Sequence, residues 1–468
     1  MKTIKSYDIV IIGGGPGGYT AAIRAALKGA GVAVVEADKL GGVCLNSGCI
    51  PSKALIASAL LYDRLKNASA MGLITPQPPG YDWPTMQQRK DKIVSSMVGG
   101  IGQLFKSHGV THFKGRGRLT SRNQVSVIDD QGEGLELQAD NIIIATGSRS
   151  RDLAGLAIDG RQIVTTDHLL QSRRLPESIL IVGAGVIGCE WAFMLSMLDV
   201  KVTLVEMLDS ALPMEDVDVS RLIERELKKR KIKLYTGTGV TGVEVGPDQI
   251  TAHISPDRQV PVEQVLVAVG RAFNTEGLGL SDVGVQLNDN GSIATGEDMR
   301  TDVDNVYAVG DVRGEIMLAY TAVHDGEIAV DNALGGNRRK DYAGVPSVIF
   351  THPEVASVGL TEARASENHD IAVGRFPMRA LGKAHAENEI AGEVKIIADR
   401  DTDKILGVHI VGAHATEIIH TAALALRQGM TARELGAAVF GHPVISESIM
   451  EAAHDVHGMS VHVAKKPD

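Results

Sequence analysis

Residues 7–36 read YDIVIIGGGPGGYTAAIRAALKGAGVAVVE, and the fold is decided there. "YDIVII" (7–12) is a β-branched run of strand type, "GGGPGG" (13–18) a glycine turn, "YTAAIRAALKGA" (19–30) an alanine-rich helix, and "GVAVVE" (31–36) a second strand. Gly13, Gly15 and Gly18 supply G-x-G-x-x-G in the context that a dinucleotide-binding unit requires. The first glycine turns the chain, the second lets a pyrophosphate approach the backbone, and the third lets helix and strand pack closely. The helix N-terminus then faces the anion. Glu36 ends the second strand, where a carboxylate can accept hydrogen bonds from a ribose.

The arrangement returns in "SILIVGAGVIGCEWAFMLSMLDVKVTLVE" (178–206), with Gly183, Gly185 and Gly188 in the turn and Glu206 ending the strand. A carboxylate there repels a 2′-phosphate, and the following "MLDSALP" has no arginine to attract one, so NAD is expected over NADP. One fingerprint alone is weak, because a tight strand-to-helix turn without a ligand uses the same glycines. Two copies, each with both strands, the helix and the terminal acid, predict two dinucleotide sites. "IIIATGS" (142–148), with Thr146 and Gly147, and "TDVDNVYAVGDV" (301–312) are β-rich runs ending in a small residue and glycine. Asp311 is placed to accept hydrogen bonds from a ribityl chain. Together with the first fingerprint these runs favour FAD at the N-terminal site. NAD is assigned to the second, with Gly270 closing "VLVAVG" (265–270) beside it.

A chain of 468 residues is too long for one hydrophobic core, so several domains are expected. With 44% hydrophobic and 22% charged residues it has a globular composition, and no apolar run approaches the roughly 20 residues of a membrane span. "MKTIKSYDIVIIGGGPGG" puts lysines before an apolar run, but Asp8 and the glycines leave that run too short for a signal peptide. A cytoplasmic or equivalent reducing setting follows. A formal charge of -10 argues against a nucleic-acid partner.

In such a setting "GGVCLNSGCIPSK" (41–53) stands out, because Cys44 and Cys49 are two of only three cysteines. A close pair there is catalytic or metal-binding rather than a structural disulfide, unless it is simply two small side chains. A zinc site needs about four ligands, and Cys189, the remaining cysteine, lies inside the second fingerprint. A helix starting after Gly48 would lower the pKa of a nearby thiol.

These residues, in this order, resemble the flavoprotein disulfide reductases of the class I pyridine nucleotide-disulfide oxidoreductase family. The likeness spans essentially the whole chain and includes "VYAVGDV" (306–312), "VPSVIFTHPEVASVGLTE" (345–362) and "GHPVISESIMEA" (441–452). It points most closely to the members that oxidise protein-bound dihydrolipoyl groups with NAD. By that resemblance Cys44 and Cys49 form a redox-active disulfide beside the flavin, Cys44 exchanging with substrate and Cys49 lying against the flavin as a thiolate. Lys53, read as opening the following helix, pairs with Glu190 at the flavin edge where hydride crosses to nicotinamide. Without the resemblance these two would be a surface lysine and a helix-face glutamate.

The resemblance also makes His442 the base, oriented by Glu447, in a His-Pro segment with Pro443 and Ser446. Read cold, His442 is one of 15 histidines and reads as structural rather than catalytic; only the motif reverses that. In the family this base serves the partner subunit's disulfide, so a homodimer is implied. The partner would be a lipoyl-bearing acyltransferase or a glycine cleavage H-type protein. Two positions depart from the usual pattern: Phe440 and Tyr320 each stand where histidine is common. His409, His414 and His420, and His454, His457 and His462, are read as solvated or interface histidines, and no metal is expected.

The implied fold is α/β, with two Rossmann-like dinucleotide-binding domains, a central domain and a C-terminal α+β dimerisation domain. The expected boundaries are 1–146 (FAD), 147–271 (NAD), 272–344 (central, completing the flavin site) and 345–468 (interface).

Overall fold

A computed structural model describes residues 4–464 apart from 76, 77, 248 and 256. Strand Lys5–Ile12 is central because Ile9, Val10, Ile11 and Ile12 are all buried, as a strand covered on both faces requires. It pairs in parallel with Val32–Glu36 on one side and with Gly134–Ile144 on the other. Thr111–Lys114 extends the sheet beyond Val32–Glu36. The long strand Gly134–Ile144 is shared along its outer edge: its first half pairs antiparallel with Gln124–Ile128, and Ile142–Ile144 pairs in parallel with Val306–Ala308.

A second parallel sheet runs in the order Lys233–Tyr235, Lys201–Val205, Ser178–Val182, Gln264–Val267, Ile163–Val164. A two-stranded ribbon, Ser148–Ser150 against Arg271–Phe273, carries the chain into this unit and back. The segment 272–344 is an outgrowth of the first unit in this topology. It supplies Val306–Ala308 to that sheet, and its helix Ala319–Ala333 packs on helix Pro16–Leu27.

The last unit is an antiparallel sheet in the order Ser347–Ile349, Glu354–Gly359, Ile405–Gly412, Glu393–Asp399, Ile371–Pro377, with helices Ala415–Arg427 and Glu447–Asp455 on it. A buried ion network fastens it to the second nucleotide unit. Lys395 Nζ bonds Asp216 Oδ1 and Asp218 Oδ2, each at 2.7 Å, and lies 2.6 Å from Glu362 Oε2. Arg375 joins the same cluster through Asp218 at 2.6 Å and Glu393 at 3.0 Å. Burial pushes the Asp218 carboxyl up, but the two cations outweigh it and hold the group down at about 2. His409 is buried in this sheet with Nε2 3.0 Å from Leu360 O, so it is a core histidine and not the solvated or interface one expected.

One stretch, Gly42–Lys66, has the length and hydropathy of a membrane span, contrary to the reading of the sequence. The chain breaks it at Ser47 and Gly48, and its longer part, Cys49–Lys66, packs against helices Trp83–His108 and Val186–Met197. Packing of that kind makes the helix part of this fold, with Pro51, Ser52, Ala54, Leu55 and Ala59 buried.

Candidate active site

The two glycine turns are built alike. A Cβ on Gly13 would lie 2.3 Å from Ala145 O, and one on Gly183 would lie 2.4 Å from Ala268 O. A Cβ on Gly18 or Gly188 would lie 1.9 Å from the carbonyl of Gly13 or Gly183. These first and third glycines are required by packing, and the first ones also by φ of +107° and +103°. The middle glycines differ: Gly15 would meet only Gly42 Cα at 3.8 Å, and Gly185 nothing within 4 Å. Protein packing among the described residues does not demand glycine there, and the space is open to a ligand.

Helices Pro16–Leu27 and Val186–Met197 start at Gly15 and Gly185 with no side chain capping them, leaving their amides to an anion. Each terminal acid braces its own turn. Glu36 accepts from Gly14 N–H at 2.6 Å and Asp38 N–H at 2.7 Å; Glu206 accepts from Ala184 N–H at 2.7 Å and Leu208 N–H at 2.9 Å. The identical offsets, 22 residues back and two forward, show the same unit folded twice.

Thr146 and Gly147 leave the first sheet beside Gly13, where Thr146 exchanges hydrogen bonds with Asn274. Gly270 leaves the second sheet with φ +108°, and a Cβ added to it would meet nothing within 4 Å. Asp311 sits in the turn Gly310–Arg313, where it accepts from Ser148 Oγ and lies 3.7 Å from Arg271 Nε. That turn is pinned from beneath by Asp325, which accepts from Gly310 N–H at 3.1 Å and pairs with buried Arg313 at 2.8 Å.

Cys44 lies in the short helix Gly42–Asn46, and Cys49 is the first residue of helix Cys49–Lys66. Both are free thiols, Cys49 the more exposed. They share a hydrogen bond that splits their acidities: Cys49 is drawn down to about 7, and Cys44 is held well above an ordinary thiol. For Cys49 the Cys44 thiol is the largest cause. Burial opposes it, while the Lys53 ammonium and the backbone amide at the helix start reinforce it.

The helix begins at Cys49, so Lys53 stands one turn inside it rather than at its opening. That spacing puts Lys53 on the face of Cys49. Lys53 Nζ bonds both carboxylate oxygens of Glu190, at 2.9 and 2.7 Å. Glu190 is buried and also accepts from Phe350 N–H at 3.0 Å, and the Lys53 ammonium lies 4.6 Å from the centre of the Phe350 ring. The pair therefore joins the first unit, the second unit and the antiparallel sheet at one point.

His442 and Glu447 stand on the last unit. Glu447 Oε1 accepts from His442 Nδ1 at 2.9 Å, and Oε2 accepts from Val444 N–H at 2.9 Å. Burial pushes Glu447 up, and these two bonds carry it below its ordinary value. The His442 side chain is 78% exposed, and its Nε2 has no hydrogen-bond partner among the described residues. Beside Cys44 lies a pocket of about 610 Å³, lined by Tyr19, Leu45, Ile50, Met97, Ile101 and Leu104 among others, and by no histidine.

Residues 7–326 match the family described as pyridine nucleotide-disulphide oxidoreductase, and residues 345–453 match its dimerisation domain. This chain belongs to that family. It is 43% identical to a dihydrolipoyl dehydrogenase of Bacillus subtilis (strain 168), over 97% of this chain and 99% of the relative. Among solved structures, LpdA of Mycobacterium tuberculosis superposes with a TM-score of 0.90 at 30% identity, covering 96% of this chain and 99% of that one. The HOCl-induced flavoprotein disulfide reductase RclA of Escherichia coli gives 0.85 at 27%, covering 96% and 99%.

This oxidoreductase family works with FAD and NAD, and the open middle glycines and uncapped helix starts fit a dinucleotide in each turn. Asp325, Ser148 and Phe350 were not visible in the sequence as members of the site. Each acts through a contact between distant segments, and no local motif announces it.

Proposed function

We propose that this chain is a dihydrolipoyl dehydrogenase working as a homodimer: an FAD enzyme that oxidises protein-bound dihydrolipoamide with NAD. The observation that carries the reading is the Cys44–Cys49 pair, one thiol at about 7 and its neighbour held protonated, beside the Lys53–Glu190 ion pair.

In the oxidised enzyme Cys44 and Cys49 form a disulfide. A dihydrolipoyl thiol enters the apolar pocket beside Cys44 and passes its proton to Nε2 of the partner subunit's His442. Glu447, bonded to Nδ1, fixes the tautomer that leaves Nε2 as the acceptor. The substrate thiolate attacks Cys44 Sγ; the Cys44–Cys49 bond breaks, and Cys49 departs as a thiolate, its low pKa making it the better leaving group. The second substrate thiol then attacks the substrate sulfur of the mixed disulfide. Lipoyl disulfide leaves, and Cys44 takes back a proton, which its high pKa retains. Two electrons now reside in the dithiol.

Bound FAD, held by Gly13, Gly15, Gly18, Glu36, Thr146, Gly147, Asp311 and Lys53, would supply the redox link to NAD held by Gly183, Gly185, Gly188, Glu206 and Gly270. Lys53 offers a positive charge there, and Glu190 fixes its position.

The lipoyl group would arrive on an acyltransferase or a glycine cleavage H-type protein, in the cytoplasm. The test is NADH formation by the purified protein from dihydrolipoamide and NAD, with NADP in parallel and Cys44→Ser as control. Rapid turnover with NAD, lost in the control, is expected. A yellow protein inert to dihydrolipoamide, yet oxidising NADH with another disulfide, would refute the substrate.

A further inference from the structure

Glu447 opens helix Glu447–Asp455, and Glu451 lies one turn further along the same face. Glu451 is only 3% exposed, yet it carries a carboxylate. Every hydrogen bond that this carboxylate accepts, among the described residues, comes from the segment after the helix: from His462 Nδ1 at 2.7 Å and from Ser460 Oγ at 2.6 Å. Burial pushes the Glu451 carboxyl up, and these two partners bring it below its usual range. The chain thus holds two histidine–carboxylate pairs on one short helix, His442–Glu447 and His462–Glu451. Only the first has a part in the mechanism.

We propose that Ser460 and His462 form a clamp that positions the base, by holding Glu451 down and thereby setting the rotation of the helix that presents Glu447 to His442. The inference rests on reading His442 as the base. A buried carboxylate stripped of its partners is driven toward water. Because Glu447 and Glu451 share a face, any rotation that exposes Glu451 also displaces Glu447. Both oxygens of Glu447 are committed, to the His442 ring and to Val444 N–H, so such a displacement costs the imidazole its alignment. His462 is also near enough to Glu447 to help lower that carboxyl. Among the described residues Ser460 and His462 bond neither the cysteines nor the glycine turns, which makes them positioning residues.

The test compares His462→Leu and His462→Asn in the flavin-loaded dimer, with His442→Gln as reference. Asparagine keeps a donor near the Nδ1 position; leucine does not. Two reactions are read: dihydrolipoamide with NAD, which needs the base, and NADH with ferricyanide, which does not. His462→Leu should lower kcat for the dithiol on the order of tenfold, with KM for NAD and the ferricyanide rate in place and the thermal midpoint lower, since Glu451 loses one of its two partners. His462→Asn should recover most of the loss. Full dithiol turnover in His462→Leu, or an equal fall in both reactions, would overturn the proposal. Full dithiol turnover in His442→Gln would instead remove the base reading on which it rests. Should His462→Leu fail to fold, Ser460→Ala removes the other bond to Glu451 and must show the same split, smaller in size.

Discussion

Replacing Cys44 tests the electrostatics of the redox pair, because the Cys44 thiol is the largest of the influences that lower Cys49. A thiol at about 7 is roughly 90% ionised at pH 8, whereas one near the ordinary 9.0 is about 10% ionised, a ninefold difference in thiolate. Cys44→Ser keeps an O–H that can donate to the Cys49 sulfur; Cys44→Ala removes the donor. In both, Lys53 and the helix start remain. The expected midpoint is therefore about 7 in the reduced parent, little changed in Cys44→Ser, and at least one unit higher in Cys44→Ala. It would still lie below an unassisted thiol. The assay is a pH titration of thiolate absorbance near 240 nm, taken as the difference from Cys49→Ser. Equal midpoints in the serine and alanine variants would refute the assignment to the hydrogen bond. A parent midpoint near 9 would refute the depression itself.

Gly185→Ala and Gly188→Ala should separate binding from folding. The first adds a methyl to open space and should raise KM for NAD at an unchanged thermal midpoint; the second puts Cβ 1.9 Å from Gly183 O and should destabilise the second unit. Lys395→Met takes the ammonium from buried Asp216, leaving it two backbone N–H donors, and removing one partner of such a network costs about 3–5 kcal/mol. It should appear as an earlier first transition in urea. Asp218 is depressed to about 2 from 3.8. Its contribution to stability is thus complete above about pH 4 and lost as pH falls toward 2. Acid titration of the parent should show this decline, and Lys395→Met should flatten it.

Much of this protein is legible in local sequence. The two glycine turns, the strands that enter and leave them, Glu36 and Glu206 all follow from short-range rules. Turn geometry, helix–strand approach and a braced loop are satisfied within some 30 residues. The cysteine pair is legible as a candidate, since five residues of separation let its sulfurs meet without closing a long loop, while its redox role is what the family resemblance implies. Motif order extends the reading to His442 and Glu447, whose 2.9 Å bond spans a single loop.

What lies between segments was decided only by tertiary structure. The family resemblance pairs Lys53 with Glu190, 137 residues away, but no residue near Lys53 indicates the contact, and nothing in the sequence indicates that Glu190 is also held by Phe350. The direction and cause of the Cys49 shift depend on where sulfur, ammonium and amide dipole stand relative to one another, because electrostatic interactions follow distance and burial, not sequence. The segment 272–344 reads as a domain of its own, yet one of its strands completes the first sheet, because the exposed edge at Ile142–Ile144 takes whichever strand the fold brings to it. Sequence determined which chemical groups this protein has and the turns that display them. Packing between distant segments determined which groups meet, and with that their charge state and their orientation.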